Sequence, residues 1–326
     1  MTERKPDAAR IEAHLESLKS AAWIGLARKW WPEFAFFFAD LPNALRIMEG
    51  GKLLCRNQAA IARDTGSEAI LGHTADEWKD CGRLYFRPRT PTQYQVEGFR
   101  PTTQFGSLGK HMPMPVFFLF DAKEILTRKT TRFSTGNLSQ SPPVGADATF
   151  FESILFEKVY HDSWMREEEK AEIKLHRHAE IIIPSELKLD ALKRIWCRSE
   201  AEYETLLHLL SPPLAKKFRP MIGHGKRPSI HFCKWTFVES ANLEQNSITF
   251  TFNASSAMPG PFAAQLRVKN LRTGAGYKWE NASFETKNPL TVNVPQIDRP
   301  TAYEMRLTLD NVIACAGKFS PKATQF

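Results

Sequence analysis

The stretch Tyr85–Tyr94 reads YFRPRTPTQY and fixes one arginine between two prolines. The prolines restrict the backbone around Arg89, so little conformational entropy is lost when a ligand binds there. A planar guanidinium can hold a pyrophosphate or a carboxylate through two parallel hydrogen bonds. The neighbouring rings of Tyr85, Phe86 and Tyr94 could stack on a flat ring of a ligand. The alternative is a proline-stiffened turn that carries a surface arginine.

A second stretch, His176–Glu180, leads directly into the apolar residues Ile181–Ile183. A glutamate that enters a buried strand is costly unless another group pairs with it or a reaction uses it. A fixed carboxylate suits a reaction in which positive charge develops on a sugar, and it can also accept a proton. The alternative is an ordinary salt bridge from Glu180 to Arg177 or to another cation.

The elements that must position these two residues follow from hydrophobic periodicity and turn signals. Four short apolar runs predict strands, and a long segment rich in Gly, Ser, Asn and Pro predicts a loop. Helical spacing covers most of the remainder of this half. The predicted strands are Phe34–Phe38, Leu84–Phe86, Val116–Phe120 and Glu180–Ile183, and the predicted loop is Phe133–Thr149. The predicted helices are Asp7–Lys29, a short one from Asp40 to Gly50–Gly51, Phe151–Leu175, Leu187–Cys197 and Glu200–Leu210.

The pattern changes in the C-terminal third of the chain. Residues 213–229 are basic and contain several prolines, which indicates a linker. Beyond it, short segments alternate apolar and polar residues between turns, which predicts a small Ig-like β-sandwich over residues 230–326. The predicted strands are Ser247–Phe252, Ala264–Val268, Thr291–Val294 and Tyr303–Leu309. We therefore expect an α+β domain over residues 1–212 with mixed and antiparallel sheets, then the linker and the sandwich, with the sandwich folding independently as a docking module.

Composition limits the classes of protein that remain. The 326 residues are 42% hydrophobic and 25% charged, which is typical of a globular protein. The net charge of +8 favours an anionic partner such as nucleic acid. The apolar runs are far shorter than a bilayer requires, so we expect no membrane association and a cytoplasmic location. The five cysteines are scattered without a CxxC pair, so no zinc or disulfide framework is predicted.

Taken together, these segments resemble the DarT family of nucleic-acid ADP-ribosyltransferases, over roughly residues 30–210. The resemblance lies in the order and spacing of five segments. They are Leu41–Leu45 with Gly50–Leu54, Tyr85–Tyr94, Pro115–Phe120, Phe133–Asn137 and His178–Glu180. One departure concerns the first strand. In the family this strand carries a histidine followed closely by a threonine that hold NAD, whereas here it reads FAFFF.

The resemblance implies an enzyme that consumes NAD, uses no metal and modifies a base of single-stranded DNA or RNA. Arg89 would hold the NAD phosphates and Glu180 would be the catalytic carboxylate. The residues expected to bind NAD are Arg89, Tyr85, Tyr94, Phe36 and Phe38. The residues expected to line the nucleic-acid path are Arg128, Lys129, Arg132, Lys174 and Arg177. The family also implies a role in a toxin–antitoxin or anti-phage system, with an antitoxin as partner.

Two other classes of function stay open on the sequence. A metal-dependent nuclease would use the imidazoles and carboxylates of His161, Asp162, His176, His178, Glu168 and Glu172. Their spacing lacks an HExxH-type pattern, which argues against it. A nucleic-acid-binding module without catalytic activity would retain the pocket, and the missing histidine permits this. A P-loop, a dinucleotide-binding glycine motif and a nucleophile elbow are all missing from the sequence.

Overall fold

A computed structural model describes residues 3–64, 72, 75–104, 110–226, 229–294 and 301–321. The chain divides into two compact units, and both are built from separate segments of sequence. Unit 1 comprises Met1–Gln95, Phe117–Ile195 and Pro228–His231. Unit 2 comprises Val96–Val116, Trp196–Arg227 and Phe232–Phe326. This division differs from the boundaries at residues 212 and 230 that the sequence suggested, and the predicted domain assignment stays a prediction.

The first half of the chain alternates short helices with the strands of a mixed sheet. The helices are α1 (Ala8–Ser20), α2 (Leu41–Gly50), α3 (Asp76–Lys79), α4 (Pro91–Val96), α5 (Ala122–Leu126), α6 (Ala148–Ser153), α7 (Phe156–Val159) and α8 (Lys170–His176). The strands are β1 (Phe34–Asp40), β2 (Lys52–Leu54), β3 (Cys81–Tyr85), β4 (Pro115–Asp121), β5 (Arg132–Ser134), β6 (Val144–Gly145), β7 (Glu180–Pro184), β8 (Glu186–Lys188) and β9 (Leu192–Cys197).

Six of these strands lie side by side in the order β4–β1–β3–β7–β5–β6. Strand β3 is antiparallel to both of its neighbours, and β2 pairs with β8 away from this sheet. The apolar runs of β4 and β7 are buried at almost every position, because strands covered on both faces need continuous apolar sequence. The strands predicted at 34–38, 116–120 and 180–183 are therefore confirmed.

Three helices predicted by local periodicity are confirmed or corrected by the fold. The helix after Asp40 is confirmed, and it ends where Gly51 takes a left-handed φ of +66°. The first helix ends at Ser20, and Gly25 (φ +67°) turns the chain, so Leu26 is exposed and not on the buried face. The predicted helix 151–175 is instead three short helices, because Ile154 is already extended.

The helix predicted over Leu187–Cys197 is wrong. These residues form β8, a short 3-10 turn (Leu189–Ala191) and β9. Strand β8 finds its partner in β2, where Leu53 pairs with Leu187. The apolar spacing fits a helix locally, but pairing with a strand more than 130 residues earlier satisfies the backbone instead. Helix α9 (Glu200–Leu209) is confirmed, with the Ser199 hydroxyl accepting a hydrogen bond from the backbone N–H of Glu202.

The C-terminal part of the chain forms two antiparallel sheets with a shared apolar core. After α9 come α10 (Pro212–Phe218), β10 (Ile222–His224), β11 (Val238–Leu243), β12 (Ser247–Phe252), β13 (Phe262–Asn270), β14 (Gly276–Phe284), β15 (Leu290–Asn293), β16 (Tyr303–Leu309) and β17 (Val312–Phe319). The sheets are β11–β12–β15 and β14–β13–β16–β17. Alternate residues of both sheets form one core cluster, as the alternating pattern predicted.

The segment predicted as a linker is largely ordered secondary structure. Residues 213–224 form most of α10, a 3-10 turn (Arg219–Met221) and β10. Within unit 2, α9 packs on β17 and β11. The Thr205 hydroxyl accepts a hydrogen bond of 3.0 Å from the backbone N–H of Ala316, and Ser199 donates one of 2.6 Å to the Val238 carbonyl. In the part of the chain that the structure describes, no helix has the length and apolar character needed to cross a membrane.

Candidate active site

The two chemically informative motifs meet where two neighbouring strands of the unit 1 sheet end. Strand β3 ends at Tyr85 and β7 begins at Glu180, and these two residues are paired across the antiparallel ladder. The loop that carries Arg89 leaves β3 directly after Tyr85. Long-range strand pairing therefore brings the loop of the predicted phosphate-binding arginine and the predicted catalytic carboxylate to the same end of these paired strands.

The Arg89 loop has an unusual backbone conformation. Arg89 has a φ of +58°, a left-handed value that costs a side-chain-bearing residue on the order of 1 kcal/mol or more. The buried side chain of Gln93 holds this conformation, because its Oε1 accepts a hydrogen bond of 2.7 Å from the Arg89 N–H. Its Nε2 donates to the Ile230 carbonyl at 2.8 Å. Gln93 thus fixes the direction in which the arginine leaves the loop.

Asp162 lies between two arginines of this loop. Its Oδ1 accepts a hydrogen bond of 2.6 Å from Arg87, and its Oδ2 accepts one of 2.6 Å from Arg89. Arg87 is completely buried and also donates to the carbonyls of Val159 and Pro88, both at 2.9 Å. Burial lowers the pKa of Arg87 and Asp162 opposes the shift. The side chain of Arg89 is 28% exposed, so this arginine alone of the two reaches solvent.

Further cations surround the same carboxylate. Arg177 is hydrogen-bonded to the His161 ring at 2.9 Å, and its electrostatic neighbours include Asp162, Arg89 and Arg28. Burial lowers the pKa of Arg177, and its Nε has no hydrogen-bond partner among the residues described. Asp162 and the three arginines around it, Arg87, Arg89 and Arg177, form what we call the Asp162 group. This group carries more positive than negative charge and is only partly desolvated. Such a site favours a ligand with more than one negative charge, for example a pyrophosphate.

Glu180 is a buried carboxylate with incomplete hydrogen bonding. It is 3% exposed, and burial raises its pKa to about 7 although the Arg83 guanidinium opposes the shift. Arg83 Nη1 is 3.7 Å from Glu180 Oε2, which is an ion pair but too long for a hydrogen bond. Within the described part of the chain, Oε2 accepts no hydrogen bond. A pKa near neutrality and a free oxygen suit a group that stabilises charge and accepts a proton.

The aromatic residues predicted to bind NAD differ in accessibility. Phe38 stacks on Tyr85 with ring centroids 5.9 Å apart, and both are half-buried. Burial and the nearby Glu180 raise the pKa of Tyr85. Tyr94 is 41% exposed. Phe36 is completely buried against Trp30, which argues against its direct contact with a ligand.

The cations predicted to line the nucleic-acid path are in different environments. Arg128 is buried and paired with Glu124 at 2.6 Å and Asp190 at 3.3 Å, which argues against a role on that path. Arg177 belongs to the Asp162 group. Arg132 lies over the Trp78 ring at 5.0 Å, on the same face of the sheet as Glu180. The other two, Lys129 and Lys174, are exposed, and Lys129 pairs with Glu3.

Several residues of the site were not predicted from the sequence. Gln93, Arg87 and Arg83 lie within or just before the proline motif. Their contacts with Ile230, Asp162 and Glu180 span 75 or more residues of sequence and carry no local signal. The sequence pattern indicated Asp162 only as a ligand of the metal site in the nuclease alternative. Alternation along β3 would place Arg83 and Tyr85 on one face of the sheet, and this is the one signal that could have identified Arg83.

The side chains proposed above for a nuclease metal site are engaged separately. Asp162 is held by Arg87 and Arg89, the His161 ring by Arg177, and the Glu172 carboxylate by Lys158. Among the residues that the structure describes, no three His, Cys, Asp or Glu side chains come together in a group that could hold a metal ion.

Comparison with known families identifies the family of this chain. A family model described as "ssDNA thymidine ADP-ribosyltransferase, DarT" matches residues 36–229, more than half of the chain and inclusive of Arg89 and Glu180. The chain belongs to the DarT family. The resemblance seen in the sequence is confirmed, and so is the α+β fold. A search of curated proteins found no match.

Solved DarT structures are similar to this chain at low sequence identity. Thermus sp. 2.9 DarT in complex with ADP-ribosylated ssDNA is 15% identical, with a TM-score of 0.50, over 62% of this chain and 97% of that one. The same DarT in complex with NAD+ is 15% identical, with a TM-score of 0.47, over 62% and 98%. Thermosipho africanus DarTG in complex with ADP-ribose is 16% identical, with a TM-score of 0.46, over 66% and 54%.

Proposed function

We propose that this protein transfers ADP-ribose from NAD to a thymidine base of single-stranded DNA. One observation supports this most directly: the Tyr85–Glu180 strand pair brings the loop of Arg89 to the buried carboxylate of Glu180. The description of the family supplies the acceptor. The Thermus relative was solved with ADP-ribosylated ssDNA and with NAD+, which is consistent with both substrates.

The side chains present suit NAD as the second substrate. The pyrophosphate would take the cations of Arg89 and Arg177, where positive charge exceeds the single carboxylate of Asp162. The half-buried pair Phe38–Tyr85 and the exposed ring of Tyr94 offer faces for stacking. Strand β1 provides no histidine, so we assign this contact to aromatic side chains and backbone groups.

Glu180 would act twice in the transfer. As the bond between nicotinamide and ribose breaks, its carboxylate stabilises the positive charge that develops on the sugar. The attacking base nitrogen then forms the new bond to the ribose carbon and loses its proton to Glu180. This requires the ionised carboxylate, and a pKa of about 7 leaves a substantial ionised fraction at neutral pH. The proposed reaction needs no metal.

The acceptor would be single-stranded, because extruding a base from a duplex costs a few kcal/mol. Arg132, on the Glu180 face of the sheet, and the exposed Lys174 are the cations best placed to contact its phosphates. We further propose that the protein is the toxin of a toxin–antitoxin or anti-phage system and has an antitoxin as partner. This rests on membership of the family alone.

The proposed function is tested with labelled NAD and three synthetic oligonucleotides. They are a single-stranded DNA with one thymidine, the same DNA with that thymidine replaced by cytidine, and an RNA of matching sequence. We expect label only on the thymidine-containing DNA, with a mass increase of one ADP-ribosyl group. Label on the RNA alone would replace DNA as the substrate, and unlabelled nucleic acid in all three would contradict the proposal.

The phosphate role of Arg89 is tested by measuring NAD affinity calorimetrically in the Glu180→Gln background, where NAD is not consumed. We expect Arg89→Ala to weaken NAD binding about tenfold or more, since a charge-assisted hydrogen bond contributes about 1.5–3 kcal/mol. Arg89→Lys should restore only part of the affinity because a point charge lacks the planar fork. Arg166→Ala, which removes an exposed arginine, serves as the control. Equal affinity in the Arg89 and Arg166 variants would exclude the phosphate role.

A further inference from the structure

The ionised state of Glu180 depends on the charges that share its face of the sheet. Arg83 pairs with Ile182 across β3 and β7, two residues along each strand from the Tyr85–Glu180 pair. Side chains two residues apart on a strand lie on the same face, so Arg83 is the diagonal neighbour of Glu180. The separation of 3.7 Å between Arg83 Nη1 and Glu180 Oε2 agrees with this placement.

The other described groups on this face of the sheet do not place a positive charge against the Glu180 carboxylate. Tyr85 on β3 is neutral, since burial raises its pKa. On β5, Ser134 uses its hydroxyl to accept a hydrogen bond from the Glu180 backbone N–H and contributes no charge. Arg132 flanks Ile182 from the opposite side, but its guanidinium lies over the Trp78 ring. Among the residues described, Arg83 is therefore the cation that forms an ion pair with the carboxylate.

We propose that Arg83 is a positioning residue for the transfer reaction, which holds the Glu180 carboxylate in place and keeps it ionised at neutral pH without touching either substrate. The inference rests on the proposed function of this site. The 3.7 Å separation makes the contact an electrostatic one and leaves Oε2 available to a substrate proton. The 24% exposure of Arg83 allows its guanidinium to stay hydrated.

The direction of the effect follows from the two opposing influences on Glu180. Burial raises the pKa of Glu180 to about 7, and Arg83 holds it below the value that burial alone would give. Removal of Arg83 therefore raises this pKa further. The ionised fraction at neutral pH falls, and with it the transfer rate, whereas at high pH the carboxylate is ionised in both proteins.

The experiment compares the pH dependence of kcat/KM for a thymidine-containing oligonucleotide in four proteins: wild type, Arg83→Met, Arg83→Lys and Arg132→Met. Arg83→Met should move the acidic limb of the profile upward by about one pH unit, a tenfold loss of rate below that limb. The rate should recover at high pH. Arg83→Lys should keep the midpoint near that of the wild type, because it retains the charge. Arg132→Met is the matched control from the other side of Ile182, and it should leave the midpoint in place whatever it does to KM.

A second readout is independent of turnover. The 13C carboxyl signal of Glu180, assigned by its disappearance in Glu180→Gln, is titrated in the same variants. We expect its pKa to rise in Arg83→Met and to stay near the wild-type value in Arg83→Lys. An unchanged carboxyl pKa and an unshifted profile in Arg83→Met would overturn the inference, as would an equal shift in Arg132→Met. If Arg83→Met does not fold, Arg83→Gln replaces it in both measurements. Glutamine is similar in length to methionine and uncharged but keeps a hydrogen-bonding group, so we expect the same shifts.

The two proposals fail in distinguishable ways. If the wild-type protein transfers nothing at any pH, the proposed function is wrong, and the inference that rests on it falls too. The carboxyl titration would then still show whether Arg83 controls the ionisation of Glu180. If transfer is present and lost in Glu180→Gln but unaffected by Arg83→Met at every pH, only the role of Arg83 is wrong.

Discussion

Glu180 in unit 1 and Glu202 in unit 2 are two buried glutamates with different surroundings. They are 3% and 1% exposed, and burial raises the pKa of each to about 7. Glu202 is fully engaged: Oε1 accepts from Arg198 Nε at 3.1 Å and Oε2 from the Arg198 backbone N–H at 3.0 Å. Among the described residues, Glu180 Oε2 accepts no hydrogen bond, and the Arg83 guanidinium lies 3.7 Å from it as an ion pair. The same pKa therefore arises in a satisfied and in an unsatisfied carboxylate.

This difference shows that a raised pKa alone does not identify the active site. Arg198 binds two carboxylates, Glu202 and Glu97, and its guanidinium also donates to the Pro113 carbonyl at 2.7 Å. All three side chains are sealed from solvent, so the cluster can only stabilise unit 2. In unit 1 the cations around Asp162 outnumber its single carboxylate, and Arg89 reaches solvent. The Glu180 carboxylate has an oxygen, Oε2, that accepts no hydrogen bond among the described residues. The carboxylate whose oxygen is left unsatisfied is the one we assign to function.

The most drastic test of this comparison removes residues 213–326. The sequence suggested that the sandwich is an independent docking module, from which one expects the shortened enzyme to keep its NAD chemistry. The structure gives a different expectation, because α9 packs on β17 and β11, and the Gln93 amide that supports the Arg89 loop donates to Ile230. We expect a truncated protein that is insoluble or lacks fixed tertiary structure by near-UV circular dichroism. A soluble, folded fragment that still transfers ADP-ribose would show that residues 213–326 are dispensable to the transfer.

The next largest effect is expected from Arg198→Met. This substitution leaves two buried carboxylates without their cation, which costs about 3–5 kcal/mol of the free energy of unfolding. Denaturant unfolding measures the loss, with Arg267→Met at an exposed position of β13 as the control. The folded fraction of Arg198→Met should still transfer ADP-ribose. A loss of less than about 1 kcal/mol, as at an exposed ion pair, would show that the cluster is not structural.

A smaller effect of opposite sign is expected from Glu180→Gln. The pKa of Glu180 is about 7 in the folded protein and near 4.5 when unfolded, so wild-type stability falls as pH rises through this window. The amide removes that loss. Glu180→Gln should therefore be more stable than the wild type by on the order of 2–3 kcal/mol at about pH 8, with the gain vanishing near pH 4.

Glu202→Gln should show no such gain, because it gives up charge-assisted hydrogen bonds to Arg198. Denaturant unfolding of both variants at the two pH values checks the contrast. A Glu180→Gln protein that is less stable than the wild type at high pH would mean that the carboxylate is structural after all.

The sequence predicted the elements with strong local signals. The apolar runs of β4 and β7, the glycine that ends α2 and the alternation in β12 and β16 all carried enough information. It also pointed to Arg89 and Glu180 as candidate site residues, through the prolines and through a carboxylate in an apolar strand, and their roles stay predictions. It could not give the β2–β8 pairing, nor the contacts of Gln93, Asp162 and Arg83, because each depends on a partner brought near by the fold alone.

The most direct test of the account compares transfer in Glu180→Gln and Glu202→Gln on one thymidine-containing single-stranded oligonucleotide. Both variants replace a buried glutamate of raised pKa by its neutral isostere, so they differ only in the surroundings of the carboxylate. We predict that Glu180→Gln lowers the rate by about 10² or more, whereas Glu202→Gln, assayed where it is folded, stays within about tenfold of the wild type. Near wild-type transfer by Glu180→Gln, or an equal loss in both variants, would contradict the assignment of Glu180 as the catalytic carboxylate.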